Sequence, residues 1–461
     1  MFDLVVIGAG PGGYVAAIRA AKLGKKVAII DKRGFPGGTC LNVGCVPSKA
    51  LLHWTEKYHE VKQGANWGLD GSALTLDWKQ LQKAKEGVVD GLRKGIDGLF
   101  KANKITSIIG AARFVSPHMV EVENAQGKST VEAENFIIAT GGEPIALPFL
   151  PFDEKKVLSS TGALSLPEVP KSMIVVGAGV IGVELASVYA RLGTKVTFIE
   201  QLEHVCYGLD VAIGRLLQQT LMAQGMTFHL DTEVAKAKLT EEHISLIVNE
   251  GKQSSVFNAD CVLVAIGRKP YTAGLGLDEI GVEKSGRGHI FVDDQFRTKV
   301  PNVFAIGDVI EGVALAHRAS EEGMAVADII AGKKADINYL FIPNVVYTSP
   351  EVASVGLLES EAREMKIDVM VGTCPFKANS RARCSGQTEG LVKIVGDKVS
   401  GRLIGMHIIG PSASELIHEG VMALQKRAQV ADIASACHAH PTLSESIREA
   451  ALSAIGQPLH L

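Results

Sequence analysis

The sequence predicts an α/β fold class with two doubly wound, Rossmann-like parallel sheets and a C-terminal α+β domain. Three observations predict it. Residues 3–31 follow the order apolar strand, glycine turn, helix, apolar strand, and residues 173–200 repeat that order. From about Tyr339 onward, β-rich segments such as LVKIV at 391–395 precede helical stretches. The chain has 461 residues, a length that suits about three domains of ordinary size.

Composition and charge are those of a large folded protein. Hydrophobic residues make up 46% and charged residues 21%, and the net charge of −3 gives no basic surface for nucleic acid. Apolar runs stay short of the roughly 18 residues that a membrane span needs. The strand pattern begins by Asp3, which predicts no targeting segment, and an odd number of cysteines, seven, favours a reducing compartment. We therefore expect a cytoplasmic protein without nucleic-acid or membrane partners.

The first glycine turn fits a dinucleotide site. Gly8, Gly10 and Gly13 form G-x-G-x-x-G directly after the apolar run LVVI at 4–7. The first glycine permits the tight turn, the second lets a pyrophosphate approach the backbone, and the third lets the helix pack on the strand. The helix N-terminus then offers free N–H groups to the diphosphate. Asp31 ends the next strand, where a carboxylate accepts hydrogen bonds from ribose hydroxyls.

The second glycine turn repeats the first with the same spacing. Gly177, Gly179 and Gly182 form the motif, and Glu200 follows the third glycine by 18 residues, as Asp31 does in the first unit. Two complete copies predict two dinucleotide sites. Glu200 would repel a 2′-phosphate, and QLEH at 201–204 contains no arginine to bind one. The second site is therefore predicted to prefer NAD over NADP.

A cysteine pair follows the first unit, in GGTCLNVGC at 37–45. In an ideal helix, Cα atoms five residues apart lie about 8–9 Å from each other, whereas a disulfide needs about 4.4–6.8 Å. A bond between Cys40 and Cys45 thus requires a distorted turn, which Asn42 and Gly44 tolerate. Zinc needs more nearby ligands, and the next cysteine is Cys206, so we predict no metal site. A reducible pair and two inert thiols remain as alternatives.

Taken together, these motifs resemble the flavin disulfide reductases, and within them the dihydrolipoamide dehydrogenase family. The resemblance covers almost the whole chain and is specific in order and spacing. It rests on GGTCLNVGCVPSK at 37–49, GAGVIGVE at 177–184, FAIGDV at 304–309, LAHRASEEG at 315–323, TSPEVASVG at 348–356 and HAHPTLSE at 438–445.

The resemblance implies FAD in the first unit, NAD in the second and a C-terminal domain that forms a homodimer. The implied domains are 1–148 and 271–337 for FAD, 149–270 for NAD and 338–461 for dimerisation. One departure occurs at position 112, where the family usually has glycine and this chain has alanine. The implied cofactor contacts are Gly8, Gly10, Gly13, Asp31, Lys32, Gly38, Thr39, Cys40, Lys49, Ala112, Thr140, Gly141, Asp308, Ala314, Leu315, Ala316 and His317 for FAD, and Gly177, Gly179, Val180, Ile181, Gly182, Glu184, Glu200, Val234 and Gly267 for NAD.

The family pattern also assigns roles around the cysteines. It implies that Cys40 exchanges with a dithiol substrate, while Cys45 lies against the flavin. Lys49 would lie near the reactive edge of the flavin, paired with Glu184 of the second unit. A nearby cation lowers the pKa of a thiol and favours the reactive thiolate. Without the family context, Lys49 and Glu184 would be interpreted as two solvated charges.

Thiol–disulfide exchange also needs a proton acceptor, and histidine titrates in the right range. The family pattern selects His440 as the base, with Glu445 orienting its ring as a carboxylate does beside a catalytic histidine. The resemblance implies that His440 reaches the cysteines of the other subunit. His438 is interpreted as structural.

The implied reaction is the oxidation of protein-bound dihydrolipoamide to lipoamide, with hydride transfer to NAD+. Its expected partners are a second copy of the chain and the lipoyl-bearing acyltransferases of 2-oxo acid dehydrogenase complexes, or a glycine-cleavage carrier. The alternatives are glutathione reductase, which would call for arginines beyond Glu200, and a mainly structural subunit of such a complex. A structural subunit would need neither two nucleotide sites nor a redox pair.

Overall fold

The first sheet is parallel at its centre because its central strands are apolar on both faces. In the computed structural model, which describes residues 1–251 and 253–460, Leu4, Val5 and Val6 are fully buried. The strand order is β3-β2-β1-β6-β5-β4. The elements to residue 144 are β1 (Phe2–Ile7), α1 (Pro11–Lys22), β2 (Val27–Asp31), α2 (Gly38–Val43), α3 (Cys45–Lys62), α4 (Trp78–Ala102), β3 (Thr106–Ile109), β4 (Ala111–Ser116), β5 (Met119–Asn124), β6 (Gly127–Ile138) and β7 (Gly142–Pro144).

The charged stretch at 64–98 is typical of a helical surface excursion, and the structure agrees with this expectation only in part. Gly64–Trp67 form a short 3₁₀ turn, and a helix resumes only at Trp78, where the Asp77 side chain accepts the Gln80 N–H at 3.0 Å. One face of α4 is buried, because its apolar residues recur at helical spacing. Arg93 on α4 donates to the side chain of Asn42, so this helix supports the cysteine segment.

The second unit repeats the topology of the first. Its parallel sheet has the order β11-β10-β9-β15-β8, and a separate antiparallel sheet has the order β12-β13-β14. Its elements are β8 (Val157–Leu158), α5 (Ser160–Ala163), β9 (Ser172–Val176), α6 (Val180–Arg191), β10 (Lys195–Ile199), α7 (Val211–Ala223), β11 (Thr227–His229), β12 (Thr232–Leu239), β13 (Ile244–Glu250), β14 (Gln253–Ala259), β15 (Cys261–Val264) and β16 (Arg268–Pro270). The duplication predicted from the two glycine motifs is confirmed.

Two adjacent strands connect the units, and the chain then returns to the first sheet. β7 pairs antiparallel with β16, so the segment that enters the second unit and the segment that leaves it run side by side. The next strand, β17 (Val303–Ala305), pairs in parallel with β6. α8 (Ala316–Ile330) then packs closely on α1, where a methyl group added to Gly323 would collide with the Gly12 carbonyl. The first unit is therefore built from two separate stretches of chain.

The C-terminal domain is the predicted β-rich segment followed by helices. Its five-stranded antiparallel sheet has the order β18-β19-β22-β21-β20. No helix within 1–251 and 253–460 is both long and apolar enough to cross a membrane. The elements are β18 (Asn344–Val346), β19 (Glu351–Gly356), α9 (Glu359–Glu364), β20 (Val369–Pro375), α10 (Ser380–Ser385), β21 (Leu391–Asp397), β22 (Leu403–Gly410), α11 (Ala413–Gln425), α12 (Val430–Ser435) and α13 (Glu445–Ala454).

One hydrophobic core joins all three domains around α3. The core of the second unit includes Leu51 from α3, Trp78 from α4, and Val346 and Ile409 from the C-terminal sheet. Burial of apolar side chains from three domains in one cluster fixes their relative positions. The helix that begins at Cys45 is thereby held where the three domains meet.

Candidate active site

The first glycine turn is shaped by backbone contacts. Gly8 has φ +103°, and a methyl group there would collide with the Ala139 carbonyl. A methyl group on Gly13 would collide with the carbonyl of Gly8, as expected where a helix crosses a strand closely. α1 has no side-chain N-cap, so its first N–H groups are free for an anion. The carboxylate of Asp31 accepts the N–H of Ala9 at 2.8 Å, which ties the end of β2 to the turn.

The second glycine turn has the same geometry but is open. Gly177 has φ +98°, and a methyl group on Gly182 would collide with its carbonyl. The carboxylate of Glu200 accepts the N–H of Ala178 at 2.6 Å. A methyl group on Gly179 would meet no atom of the described residues within 4 Å. Protein packing therefore does not require glycine at this position, whereas the close approach of a diphosphate does.

A cavity of about 2050 Å³ runs from the first turn to the second. It is roughly twice as large as the 300–1,000 Å³ pocket of a single small ligand, so two dinucleotides fit it. All predicted cofactor contacts except Gly13 and Gly182 line it, and those two lie between helix and strand instead. The lining residues from the prediction are Gly8, Gly10, Asp31, Lys32, Gly38, Thr39, Cys40, Lys49, Ala112, Thr140, Gly141, Gly177, Gly179, Val180, Ile181, Glu184, Glu200, Val234, Gly267, Asp308, Ala314, Leu315, Ala316 and His317.

The cysteine segment contains the predicted distortion. α2 ends at Val43 and α3 begins at Cys45, because Gly44 lies between them with φ −149° and ψ −113°, outside helical values. The buried side chain of Asn42 donates to the carbonyl of Gly38 at 2.7 Å and so fixes the short α2. Cys40 and Cys45 are both free thiols here, and both line the cavity. The break in the helix therefore brings the pair to the same opening.

The two thiols differ in acidity. A hydrogen bond from Cys40 lowers the pKa of Cys45 to about 7, and the Lys49 ammonium acts in the same direction while burial opposes both. The same hydrogen bond, together with burial and the adjacent Cys45 charge, raises the pKa of Cys40. When the pair loses a proton, it is therefore lost from Cys45 in preference to Cys40. The sequence predicted a lowered thiol pKa beside Lys49, but not which cysteine has it.

The ion pair between Lys49 and Glu184 is present. Lys49 Nζ lies 2.6 Å from Glu184 Oε2, and the Glu184 side chain is 5% exposed. The other carboxylate oxygen, Oε1, accepts the backbone N–H of Tyr347 at 2.9 Å. The Tyr347 ring lies under the ammonium, with its centroid 4.5 Å from Nζ. Tyr347 was not predicted from the sequence, where its only signal is an aromatic residue next to TSPEVASVG.

A second group of residues that was not predicted from the sequence lies under the Asp308 turn. The carboxylate of Glu322, fully buried on α8, accepts the N–H of Gly307 at 2.7 Å. Arg318 Nε donates to the same carboxylate at 2.7 Å, and the Tyr339 hydroxyl donates to it at 3.0 Å. A buried charge needs such partners. The signal available was an Arg and a Glu spaced i, i+4 in HRASEEG.

Two further contacts connect predicted residues. Arg268 Nε lies 3.6 Å from Asp308 Oδ2, next to the paired connecting strands. The Lys32 ammonium lies 3.7 Å from the centroid of the Tyr271 ring, so the two stretches of the first unit also meet there. Neither Arg268 nor Tyr271 had a sequence signal beyond following the second unit.

The histidine pair lies apart from this cavity. His440 Nδ1 is 2.9 Å from Glu445 Oε1, and Oε2 of that carboxylate accepts the N–H of Thr442 at 2.8 Å. The His440 side chain is 69% exposed, and Nε2 makes no hydrogen bond within the described residues. His438 is buried against Glu419, with Nε2 3.1 Å from Oε1, in keeping with the structural interpretation. Within the described residues, His440 and Glu445 do not line the cavity that holds the cysteines.

Comparisons with known proteins agree with this architecture. Residues 2–323 match the family model of the pyridine nucleotide-disulphide oxidoreductases, and residues 342–451 match the dimerisation domain of that family. The mitochondrial dihydrolipoyl dehydrogenase 1 of Arabidopsis thaliana is 48% identical over 463 residues, covering 100% of this chain and 91% of the relative. The mitochondrial dihydrolipoyl dehydrogenase of Pisum sativum is also 48% identical, covering 100% and 92%.

A solved structure shows the same fold. The crystal structure of LpdA from Mycobacterium tuberculosis superposes with a TM-score of 0.91 at 28% identity, covering 97% of this chain and 98% of that one. Family models, relatives and structure thus agree over nearly the whole length. The chain belongs to the pyridine nucleotide-disulphide oxidoreductase family and, within it, to the dihydrolipoyl dehydrogenases, flavoproteins that use FAD and NAD.

Proposed function

We propose that Cys40 and Cys45 are the redox pair with which this dihydrolipoyl dehydrogenase oxidises dihydrolipoamide to lipoamide, with NAD+ as the electron acceptor. One observation carries the proposal: the two thiols lie at a helix break, beside the Lys49–Glu184 pair, in a cavity that reaches both glycine turns. Residues 1–148 and 271–337 would form the FAD unit, 149–270 the NAD unit and 338–461 the dimerisation domain.

The position of Lys49 beside Cys45 supports a direction of exchange. In the disulfide form, a substrate thiolate attacks Cys40; the bond between the two cysteines breaks, and Cys45 leaves as the thiolate. A cation beside the departing sulfur stabilises the thiolate, and the Lys49 ammonium lies one turn along α3 from Cys45. The second substrate thiolate then attacks the substrate sulfur of the mixed disulfide. Lipoamide leaves, and the cysteine pair has gained two electrons.

His440 is proposed as the base for the substrate thiols. One substrate proton ends on Cys40, and the other is released through His440. Glu445 holds Nδ1 at 2.9 Å and so leaves Nε2 to exchange the proton. Because the exposed His440 lies outside its own chain's cavity, we propose that it serves the cysteines of the second subunit. The dimerisation domain that contains it supports this arrangement.

The two cofactors fit the two turns differently. The first turn would hold the FAD diphosphate, with Asp31 at its ribose. Glu200 would accept the ribose hydroxyls of NAD, and its carboxylate, bonded to the N–H groups of Ala178 and Leu202 at 2.6 and 2.8 Å, would repel a 2′-phosphate. When bound, FAD and NAD supply the two-electron chemistry that returns the pair to the disulfide and yields NADH.

The remaining proposals concern partners and location. The family supports a homodimer that works in a 2-oxo acid dehydrogenase complex. We propose that its lipoyl-bearing acyltransferase, or a glycine-cleavage carrier, presents the substrate to Cys40. We keep the cytoplasm as the proposed location.

Anaerobic reduction tests the substrate. Dihydrolipoamide should reduce the enzyme and produce a long-wavelength absorption band from the Cys45 thiolate beside the flavin, which NAD+ should then abolish. Glutathione, at the same concentration, should leave the spectrum unchanged. Faster reduction by glutathione, with NADP+ as the better acceptor, would show that the chain is a glutathione reductase instead.

A further inference from the structure

Tyr347 brings the C-terminal domain into contact with the charged pair beside the cysteines. It follows β18 and is half-buried in the wall of the large cavity. Its backbone N–H donates to Glu184 Oε1 at 2.9 Å, and its ring centroid lies 4.5 Å from Lys49 Nζ. Lys49 comes from the first unit and Glu184 from the second, so all three domains meet at this point.

The two contacts of Tyr347 have different chemical requirements. Any residue at position 347 would supply the N–H that holds Glu184. Only an aromatic side chain supplies the negative ring face that attracts an ammonium group. Lys49 needs such a contact because its side chain is 31% exposed and flexible, whereas Glu184 is 5% exposed and fixed. The ring and the carboxylate together confine the ammonium group.

The position of that ammonium matters to Cys45. Lys49 is one turn along α3 from Cys45, and its charge helps to lower the pKa of that thiol. We propose that Tyr347 is a positioning residue for Lys49: its ring holds the ammonium where the ammonium stabilises the Cys45 thiolate. This inference rests on the proposed redox role of Cys45.

Few charged or titratable groups act on Cys45 and Tyr347. Cys40, Lys49 and Glu184 face the Cys45 thiol. The phenol of Tyr347 faces Glu184 together with Glu351 and Glu415, and burial raises its pKa, as do these carboxylates and the Cys45 thiolate. The phenol therefore remains neutral from pH 5 to pH 9, a range below its ordinary pKa of about 10. Burial also raises the pKa of the Glu351 carboxyl, and this group is present in every variant compared, so a difference between variants reports on the cysteine.

The test is a pH titration of the thiolate–flavin absorption band in the Cys40→Ser holoenzyme, which keeps Cys45 as the single thiol of the pair. Adding Tyr347→Met removes the ring but keeps an apolar side chain of similar length. We expect the apparent pKa of the band to rise by about half a unit, less than the rise of about one unit expected when Lys49→Met removes the ammonium, because the released ammonium stays on the same helix as the thiol. Tyr347→Phe keeps the ring and should leave the pKa within about 0.2 units of the parent.

A matched control lies on the same helix. The Tyr58 ring lies 4.8 Å from Lys62 Nζ, so Tyr58→Met removes a contact of the same kind away from the cysteines and should not move the band. If Tyr347→Met does not retain FAD, Tyr347→Leu replaces it. An unchanged pKa in the nonaromatic variants, or an equal rise in Tyr347→Phe, would overturn the inference. A parent holoenzyme with no band at any pH would overturn the redox role of Cys45 and, with it, this inference.

Discussion

The two glycine turns have the same local geometry but different surroundings. In the first unit the cysteine segment packs on the turn: a methyl group on Gly38 would lie 2.5 Å from the Cα of Gly10. In the second unit a methyl group on Gly179 would meet no described atom within 4 Å, and the next residues, Val180 and Ile181, are 41% and 36% exposed. The motif makes a dinucleotide site, and the packing around it determines whether the site is closed or open.

The first unit has a second feature without a counterpart in the second. The buried Glu322 holds the Gly307 turn, with Arg318 and Tyr339 as partners. A closed and clamped site suits a cofactor that stays bound through many turnovers. An open site suits one that must leave after each reaction. The difference therefore matches resident FAD and exchanging NAD.

The strongest test of this comparison replaces one glycine at each turn with alanine. Gly38→Ala places a methyl group against Gly10 at a residue with φ +56°, so we expect at least about tenfold weaker FAD binding, measured as flavin retained by the purified protein. Gly179→Ala meets no protein atom among the described residues and should retain its flavin. Its KM for NAD+ should rise about tenfold or more, because the methyl group takes the space of the diphosphate. Loss of flavin in Gly179→Ala alone would contradict the comparison.

The buried cluster of Glu322, Arg318 and Tyr339 under the Asp308 turn should show the next largest effect. Glu322→Gln leaves the buried Arg318 without its counter-charge, and we expect about 3 kcal/mol of destabilisation with early flavin release on heating. Asp328→Asn on the same helix removes a partly exposed pair, with Arg19 at 2.9 Å, and should cost less than about 1 kcal/mol. Thermal unfolding followed by flavin fluorescence compares them. Equal effects of the two variants would show that Glu322 has no special role at the cofactor site.

The acids that end the second strands should differ in what they select. Glu200→Gln removes the charge that repels a 2′-phosphate, so the preference for NAD+ over NADP+ in kcat/KM should fall about tenfold. Asp31→Asn in the first unit should leave this coenzyme preference unchanged. A shift of the preference by Asp31→Asn would assign NAD to the first unit and reverse the comparison.

The smallest effect concerns Lys49, at the contact between the units. Lys49→Met removes the cation that helps lower the pKa of Cys45, so we expect this pKa to rise from about 7 by about one unit. The thiolate band, measured against pH, should accordingly appear at higher pH. Lys57→Met, an exposed residue on the same helix paired with Glu60 at 2.7 Å, is the control and should not shift the band. A pKa unchanged in Lys49→Met would mean that the ammonium does not act on this thiol.

Features encoded within a short stretch of chain were predictable from the sequence. The glycine turns, the strands on either side and the acids at their ends depend on steric rules that act over about 30 residues. The break at Gly44 followed in the same way, because a helical pair five residues apart cannot approach closely without it. The Lys49–Glu184 pair needed the family resemblance, since 135 positions separate the two residues and neither is unusual by itself.

Features that depend on packing between distant segments were not predictable. Tyr347 reaches Lys49 only because the C-terminal sheet shares a core with α3. Residues 68–77 belong to the stretch 64–98 that was predicted to be helical, yet they form turns and irregular backbone before Asp77 caps α4. The acidity of Cys45 relative to Cys40 depends on a hydrogen bond whose direction no sequence pattern states.

The most direct measurement compares the two single-cysteine holoenzymes by visible absorption. The account assigns the thiolate to Cys45, beside the flavin, and the substrate exchange to Cys40. With its flavin oxidised, the Cys40→Ser enzyme should therefore show a long-wavelength thiolate–flavin band above pH 7. The Cys45→Ser enzyme, also with its flavin oxidised, should show no such band at any pH. A band in Cys45→Ser and its absence in Cys40→Ser would contradict the account.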